Sequence, residues 1–224
     1  MVAIVLAAGR GERFNSNVPK QLRKINGKEI VRISVERILK LNPRFIILTT
    51  LSDYLEKTQK LFEDVDSVKV IEGGKTRAES VSKALELIKE TDEIVLIHDS
   101  ARPFFPIENT KECIKAAKEF GSATLAVPVK DTIAVSNDHE IVSFPDRNKL
   151  WAIQTPQCFK AHLIKKAHEL LKRENFTPTD DASLILRYNL SKVKIIEGKH
   201  FNIKITYPED LEFARVIMKE LMKR

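Results

Sequence analysis

Apolar and polar positions follow two alternating periods along the first half of the chain. Short apolar runs, which are typical of buried strands, are separated by stretches whose apolar residues recur every three or four positions, as in amphipathic helices. The predicted strands are Val2–Leu6, Phe45–Thr50, Val68–Glu72, Glu93–His98 and Ala123–Val129. The predicted helices are Glu29–Leu41, Leu55–Phe62, a segment with Val81, Ala84, Leu85 and Ile88, and Ile107–Phe120. This repeated strand–helix order predicts an α/β fold, in which a mostly parallel twisted sheet carries helices on both faces.

The pattern changes beyond this region. Thr132–Ser136 and Glu140–Phe144 alternate polar and apolar residues around Asn137-Asp138-His139, which predicts a β-hairpin. We expect residues 1–224 to form a single domain, with the hairpin as an arm at about 130–148 that covers the site or reaches a partner subunit. The remaining predicted elements are a helix with Leu163, Ala167, Leu170 and Leu171, a short helix over Asp180–Tyr188 with Thr179 as its N-cap, strands at Val193–Glu197 and Asn202–Thr206, and a last helix that begins at Tyr207-Pro208-Glu209-Asp210.

Polar clusters follow the predicted strands at their carboxyl ends, which is where open parallel sheets bind ligands. The clusters are Gly9, Gly11, Arg13 and Lys20 after the first strand, Gly73, Gly74, Arg77 and Ser80 after the third, His98, Asp99, Ser100 and Arg102 after the fourth, and Lys204 within the late strand. We therefore expect these side chains to share one site.

The first cluster lies in LAAGRGERF at residues 6–14, and NVPKQL follows at residues 17–22. Glycines let backbone N–H groups approach phosphate oxygens closely. The stretch lacks the third glycine of a dinucleotide-binding fingerprint and the GK[ST] of a P-loop. Fixed cations at Arg13 and Lys20 would stabilise the negative charge that develops when a triphosphate is cleaved. Taken alone, Lys20 is equally compatible with a surface lysine.

The third cluster includes the motif HDSARP. Asp99 is suited to hold Mg²⁺ through one carboxylate together with substrate phosphates; the alternative is a cap of a helix or turn. Arg102 is suited to bind a phosphate through two N–H groups, with a salt bridge as the alternative. His98 is expected to pack or to orient Asp99 rather than to act as a base.

Composition narrows the class of ligand. The net charge is +7 and the pI is about 9.3, but Lys and Arg are spread along the chain, which favours a phosphate-binding pocket over a nucleic-acid-binding tail. Aromatic residues make up only 7%, so no nucleic-acid partner is expected. Val2–Ala8 is too short to cross a membrane, and we expect no membrane partner. Cys113 and Cys158 lack the spacing of a zinc site or of a disulfide framework. Together with the absence of a signal-peptide pattern in Val2–Ala8, this leads us to expect a cytoplasmic protein.

Seven stretches together resemble the 2-C-methyl-D-erythritol 4-phosphate cytidylyltransferase family. They are LAAGRGERF with PKQ, GGKTRAESV, HDSARP, VKDT, DRNKLWAIQTPQ, TDDAS and NIKITYPEDL, in this order over residues 6–211. The resemblance implies a Rossmann-like fold of the nucleotidyltransferase type. It implies transfer of the cytidylyl group of CTP to 2-C-methyl-D-erythritol 4-phosphate, with Mg²⁺ as cofactor and pyrophosphate as the second product, in the non-mevalonate isoprenoid pathway. It also implies a homodimer with exchanged hairpin arms.

The resemblance further implies roles for individual residues. The implied catalytic cations are Arg13, Lys20 and Lys204, and the implied Mg²⁺ ligand is Asp99. The implied CTP-binding residues are Ala7, Ala8, Gly9, Gly11, Gly74, Ser80 and Ser100. The implied acceptor-binding residues are Arg102, Thr132, Arg147 and Thr155, of which Thr132 and Arg147 would complete the site of a partner subunit. Glu12 and Lys75 depart from the residues that some members carry at these positions.

Other functions remain open at this point. A ribitol-5-phosphate cytidylyltransferase shares the first loop and HDxARP but differs in its acceptor contacts, so the hairpin and residues 147–157 discriminate between the two. A sugar-1-phosphate nucleotidyltransferase is usually longer. A dehydrogenase would leave Lys20 and HDSARP without a role. The basic charge also permits a non-enzymatic nucleotide- or RNA-binding module.

Overall fold

A seven-stranded sheet forms the centre of the computed structural model, which describes residues 1–11, 14, 18–89, 93–174 and 176–223. The strands are β1 (Val2–Ala7), β2 (Lys24–Ile25), β3 (Lys28–Glu29), β4 (Ile46–Thr50), β5 (Val68–Glu72), β6 (Ile94–Asp99), β7 (Ser122–Pro128), β8 (Val135–Asn137), β9 (Glu140–Ser143), β10 (Trp151–Lys160) and β11 (Val193–Glu197). The helices are α1 (Ile30–Leu39), α2 (Leu55–Leu61), α3 (Arg77–Glu86), α4 (Ile107–Phe120), α5 (Ala161–Leu171), α6 (Asp181–Arg187) and α7 (Asp210–Met222). Short 3₁₀ helices lie at Lys20–Leu22, Ser52–Tyr54 and Arg147–Lys149.

The strands follow the order β11-β7-β10-β6-β1-β4-β5 across the central sheet. β1 pairs in parallel with both β4 and β6, β4 pairs in parallel with β5, and β7 pairs in parallel with β11. The predicted mostly parallel α/β fold is therefore confirmed. The carboxyl ends of β1, β4, β5 and β6 meet at one edge, which we call the carboxyl edge of the sheet.

The sequence pattern did not predict β10 within the central sheet, nor the short pair β2–β3. The Thr155-Pro156-Gln157 sequence is typical of a turn, but it lies inside β10, which runs antiparallel between β6 and β7. The register with β7 shifts between Ile153 and Gln157, and the Thr155-Pro156 peptide is cis. Gln154, Thr155 and Gln157 are all buried, so the apolar alternation that marks a strand is missing from this stretch.

Two predictions for the last part of the chain are wrong in detail. Residues 202–206, all of them described, form no strand; the Ile205 N–H donates to the carbonyl of Ala101 at 2.8 Å, so the segment pairs with the loop after β6. Lys204 therefore lies on an irregular segment. The N-cap of α6 is Asp180 rather than Thr179, because the Asp180 carboxylate accepts the Ser183 N–H at 2.9 Å. Aspartate is the stronger N-cap residue of the two.

Alternate side chains of β1 pack against helices on opposite faces of the sheet. Ala3 and Val5 belong to an apolar cluster with residues of α1 and α4, whereas Val2 and Ile4 belong to a second cluster with residues of α3, α5 and α6. Burial of each large aliphatic side chain contributes about 1.5–3 kcal/mol. The helices lie on both faces, as predicted. Within the described ranges, none of the helices combines the length and the apolar character that crossing a membrane requires.

The predicted β-hairpin is confirmed as the pair β8–β9. Asp138 and His139 form its turn with φ of 46° and 66°, the left-handed conformations of a two-residue hairpin turn. The apolar side chains of Ile141, Val142 and Phe144 are 63%, 65% and 63% exposed. The hairpin thus presents apolar surface that the core of its own chain does not cover.

Candidate active site

A cleft with a volume of about 680 Å³ opens at the carboxyl edge of the sheet. Its lining brings together predicted residues from separate loops, namely Ala7, Ala8, Gly9, Lys20, Gly74, Ser80, Asp99, Ser100 and Lys204. Gly11 lies beside Lys20 rather than in the lining. Arg13 and Glu12 lie outside the described residues. The clusters that follow the separate strands are therefore combined in one site.

Gln21 holds the glycine loop that follows β1. Its side-chain amide donates to the carbonyl of Ala7 and, at 3.1 Å, to the carbonyl of Gly9. Gly11 has a φ of +68°, and a Cβ at this position would lie 3.4 Å from Cγ of Lys20. Because Gln21 and Lys20 are adjacent in one 3₁₀ helix, the loop and the lysine are positioned together.

Gly73 allows the loop after β5 to approach the loop after β1. A Cβ on Gly73 would lie 2.3 Å from Cβ of Ala8, which is far inside van der Waals contact. Lys83 donates to the Gly73 carbonyl at 2.7 Å and also lines the cleft. The two glycine loops therefore form adjoining walls of the cleft.

Ser80 and Ser100 line the cleft with hydroxyl groups that are already bonded inside the protein. The Gly74 N–H donates to Ser80 Oγ at 2.9 Å, and this hydroxyl donates to the Thr76 carbonyl at 3.0 Å. Ser100 Oγ donates to the Leu6 carbonyl at 2.7 Å. The single hydrogen of each hydroxyl is thereby used, and a ligand would meet these serines as acceptors.

Asp99 is a buried carboxylate between two cations. Its Oδ2 accepts from Lys204 Nζ at 2.8 Å, and its Oδ1 accepts from Arg77 Nε at 3.3 Å. Burial alone would raise the pKa of Asp99, but the positive charges of Arg77 and Lys204 outweigh burial and hold this pKa well below its usual range. Asp99 is therefore a carboxylate at neutral pH, with a cation on each oxygen.

A second cleft of about 500 Å³ adjoins the first. Arg77, Asp99 and Lys204 line both clefts and form their shared wall, and Arg102 and Thr155 line the second cleft. Two ligands, one in each cleft, would meet across this wall. The arrangement suits a reaction in which a group passes from one bound molecule to another.

Arg102 lies in the second cleft with incomplete hydrogen bonding. Its Nη1 donates to the Asn202 carbonyl at 2.8 Å, whereas its Nε is buried and has no partner among the described residues. Burial lowers the pKa of Arg102, and the negative charge of Asp99 opposes this. No ion pair of Arg102 occurs within the described part of the chain, so the salt bridge that was the alternative for Arg102 is not found there. A guanidinium in this state is suited to an anionic ligand.

His98 packs behind Asp99, as the sequence predicted, and its side chain is neutral. Burial lowers its pKa to about 3. Thr155 Oγ accepts the Asp99 N–H at 3.1 Å, so its own hydrogen is available for His98 Nδ1 at 3.0 Å. His98 Nε2 then carries a hydrogen and donates to the Arg102 carbonyl at 3.1 Å. The Thr155 hydroxyl thus fixes the backbone at Asp99.

Thr132 and Arg147 are exposed and line neither cleft of this chain. Arg147 Nη1 donates to the Lys130 carbonyl at 3.0 Å, and no ion pair with its neighbour Asp146 is found in the described ranges. The structure of one chain therefore does not bring these two residues to Asp99. Their proposed place in the site of a second subunit stays a prediction.

Gln21, Arg77 and Asp181 have contacts at the site that the sequence interpretation did not assign. Arg77 was placed in a strand-end cluster without a role, although its Nη1 donates to Asp181 Oδ2 at 2.6 Å and its Nε reaches Asp99. Each of the three belongs to a motif of the resemblance, PKQ, GGKTRAESV or TDDAS. The motifs therefore indicate that the three residues lie near the site, but they do not indicate which side chains are in contact.

Comparison with known proteins gives matches along the whole chain. A family model described as 2-C-methyl-D-erythritol 4-phosphate cytidylyltransferase matches residues 1–220. A curated relative of that name from Geobacillus kaustophilus is 40% identical, with 98% of this chain and 97% of the relative covered. Another of the same name from Clostridium perfringens (strain SM101) is 41% identical, with 98% and 99% covered.

Solved structures are similar over the same extent. The 4-diphosphocytidyl-2C-methyl-D-erythritol synthase of Anaerococcus prevotii superposes with a TM-score of 0.86 at 29% identity, covering 97% of this chain and 95% of the other. The 2-C-methyl-D-erythritol 4-phosphate cytidylyltransferase of Francisella tularensis superposes with a TM-score of 0.82 at 29% identity, covering 96% and 98%. The similarity in fold therefore extends over nearly the whole chain.

Proposed function

Because the chain belongs to the 2-C-methyl-D-erythritol 4-phosphate cytidylyltransferase family, we propose that it transfers the cytidylyl group of CTP to 2-C-methyl-D-erythritol 4-phosphate in the non-mevalonate isoprenoid pathway. The products are 4-diphosphocytidyl-2-C-methyl-D-erythritol and pyrophosphate. The observation that carries the proposal is the pair of clefts that meet at Arg77, Asp99 and Lys204. The family favours this acceptor over ribitol 5-phosphate, and an enzyme over a binding module without activity.

The reaction needs charge and alignment rather than a covalent intermediate on the protein. A phosphate oxygen of the acceptor in the second cleft attacks the α-phosphorus of CTP in the first, and the bond between this phosphorus and the oxygen bridging to the β-phosphate breaks. Lys20 and Lys204 supply positive charge as pyrophosphate leaves, and backbone N–H groups of the glycine loop approach the phosphates. Arg13 lies outside the described residues, and its catalytic role stays a prediction.

Asp99 is the residue proposed to hold Mg²⁺. Among the described residues no group of three or more His, Cys, Asp or Glu side chains is placed to bind a metal, which fits an ion held by one carboxylate and substrate phosphates. The ionised state of Asp99 suits this role. Lys204 Nζ, which donates to Asp99 Oδ2 here, would instead contact a substrate phosphate and free Oδ2 for the ion. Bound Mg²⁺ would supply further neutralisation of the phosphate charge.

A homodimer with exchanged arms is proposed to complete the acceptor site. Arg102 and Thr155 line the second cleft, whereas Thr132 and Arg147 lie on or beside the arm. A two-stranded ribbon with exposed apolar side chains is marginally stable alone, and a symmetric exchange with a second copy would cover it. Each site would then combine the carboxyl edge of one chain with the arm of the other.

Pyrophosphate release tests the reaction. The enzyme is supplied with Mg²⁺ and CTP together with either 2-C-methyl-D-erythritol 4-phosphate or ribitol 5-phosphate. We expect release with the first acceptor alone. Release with ribitol 5-phosphate alone would overturn the acceptor assignment, and no release with either, combined with salt-sensitive RNA binding, would favour the non-enzymatic module.

Mixed dimers test the exchange of arms. Lys20→Ala and Arg147→Ala chains are co-expressed with different tags, and total activity is measured. If one site uses Lys20 of one chain and Arg147 of the other, each mixed dimer keeps one intact site and the mixture recovers about a quarter of wild-type activity. Lys20→Ala mixed with Asp99→Asn is the matched control, because both residues lie on the same carboxyl edge and every mixed site is defective. Absence of recovery in the Lys20→Ala and Arg147→Ala mixture would contradict the exchange.

A cytoplasmic location is also proposed. Cys113 and Cys158 are buried, free thiols, which fits a reducing compartment. Fractionation of the native host that places the enzyme with membranes or outside the cell would contradict this location.

A further inference from the structure

A chain of side-chain contacts connects helix α5 with the wall that the two clefts share. His168 Nε2 lies 3.0 Å from Asp181 Oδ1, and Arg77 Nη1 donates to Asp181 Oδ2 at 2.6 Å. Arg77 Nε then reaches Asp99 Oδ1 at 3.3 Å, and Lys204 Nζ donates to Asp99 Oδ2 at 2.8 Å. Five separate segments of the chain, β6, α3, α5, α6 and the segment before α7, supply these groups.

Arg77 is bound unequally by its two carboxylates. The side chain of Asp181 is 1% exposed and forms the shorter contact with the guanidinium, whereas Asp99 receives only the longer one. The third nitrogen, Nη2, is buried and has no hydrogen-bond partner among the described residues. Arg77 therefore does not form the bidentate pair with Asp99, in which two parallel N–H groups donate to one carboxylate and which is the strongest arginine–carboxylate geometry.

We propose that Asp181, supported by His168, is a positioning residue for the nucleotidyl transfer: it holds Arg77 back from Asp99, so that the Asp99 carboxylate remains able to bind the metal ion that accompanies CTP. The proposal rests on the function proposed above. Asp181 is the second aspartate of TDDAS, and it is not among the predicted site residues. The proposal therefore assigns a new positioning role to this buried side chain.

The physical argument is a competition for one carboxylate. A metal ion or a cation of the protein can occupy Asp99, and a bidentate guanidinium is the strongest protein competitor. While Asp181 accepts from Nη1, the guanidinium reaches Asp99 through Nε alone, and Nη2 has no hydrogen-bond partner among the described residues. Without the charge of Asp181, Arg77 would keep a single anionic neighbour and would close on Asp99 with two N–H groups.

The competing interpretation is that Asp181 only ties α6 to α3. A structural role predicts a lower melting temperature and a lower kcat, with no change in how strongly divalent cations promote CTP binding. The positioning role predicts a specific loss of this promotion.

The test is calorimetric titration of the intact protein with CTP, without acceptor, once with excess Mg²⁺ and once with EDTA. The measured quantity is the ratio of the two dissociation constants. In Asp181→Asn, which keeps the shape of the side chain, we expect Mg²⁺ to promote CTP binding about fivefold to tenfold less than in the wild type, with binding in EDTA nearly unchanged. In His168→Gln we expect the same direction and about a twofold change, because only the support of Asp181 is weakened.

Asp180→Asn is the matched control. Asp180 is the neighbouring carboxylate; it caps α6 and accepts from Gln157 at 2.8 Å, without contacting Arg77. We expect it to lower the melting temperature and to leave the Mg²⁺ ratio as in the wild type. An unchanged ratio in Asp181→Asn and His168→Gln would overturn the positioning role. A wild-type protein that binds no CTP would instead overturn the proposed function itself.

Discussion

The carboxyl edge of the sheet and the hairpin arm differ in how many of their side chains find partners within the same chain. At the carboxyl edge, Asp99, Arg77 and Lys204 are paired with one another inside the chain. On the arm, Ile141 and Val142 are 63% and 65% exposed. The comparison indicates that the charged groups at the carboxyl edge are preorganised within one chain, whereas the arm exposes apolar surface that its own chain does not cover.

Loss of a cation at the carboxyl edge should have the largest effect on the rate. We expect Lys20→Ala to lower kcat about 10²- to 10³-fold at every protein concentration, because the charge that stabilises departing pyrophosphate lies within one chain. Lys24→Ala is a matched control, since Lys24 pairs with Glu29 and does not line the cleft. Steady-state pyrophosphate release is the measurement. Near-normal turnover of Lys20→Ala would remove Lys20 from the mechanism.

Damage to the arm should depend on protein concentration. We expect Ile141→Ser with Val142→Ser to lower specific activity about tenfold to 100-fold at nanomolar protein and less at micromolar protein, because the dimer dissociates. Melting of the isolated chain should change little, since both side chains are already exposed. Sedimentation velocity with parallel activity assays checks this, and Phe213→Ser, 61% exposed on α7, is the control of equal exposure. Activity loss that is independent of concentration would argue against the dimer.

The smallest expected effect concerns stability rather than rate. His98 has a pKa of about 3 in the folded chain and near 6.5 when unfolded, so the unfolded state binds an additional proton between these values. Stability should therefore fall as the pH drops below about 6.5, by about 2 kcal/mol between pH 7 and pH 5. The lowered pKa values of Asp99 and Asp181 place their titration below this window. Urea unfolding at both pH values tests this, and His98→Gln should show a flatter pH dependence; an equal slope in both proteins would exclude His98 as the cause.

Much of the fold could be predicted because its strands are continuous apolar runs and its helices carry regular apolar stripes. β10 could not be predicted, because Gln154, Thr155 and Gln157 are polar residues that are buried by hydrogen bonds rather than by apolar packing. Residues 202–206 resemble a strand in sequence, but Ile205 bonds to the loop at Ala101 instead of a neighbouring strand. In both regions the partner, and not the local pattern, decides the structure.

The site could be predicted in outline because ligands bind where parallel strands end, and the polar clusters lie at those ends. Its internal pairing could not be predicted. Arg77 and Asp181 are separated by 104 positions, and no local pattern indicates that they touch. Gln21 lies in the motif PKQ, but the motif does not indicate that the side-chain amide of Gln21 holds the glycine loop. The residue types of the site can be predicted from the motifs, whereas the fold decides which of these residues are in contact.

The wall formed by Arg77, Asp99 and Lys204 also bears on the design of inhibitors. The cleft of about 680 Å³ is the one proposed to hold CTP, so a compound confined to it would resemble a cytidine nucleotide and would also bind other proteins that recognise one. A compound that also extends into the adjoining cleft of about 500 Å³ would match a combination of shapes that is specific to this reaction. Joining the two halves loses translational freedom once instead of twice, which raises affinity about 10²- to 10⁴-fold when the linker fits the span. An anionic linker across this wall would suit its two cations.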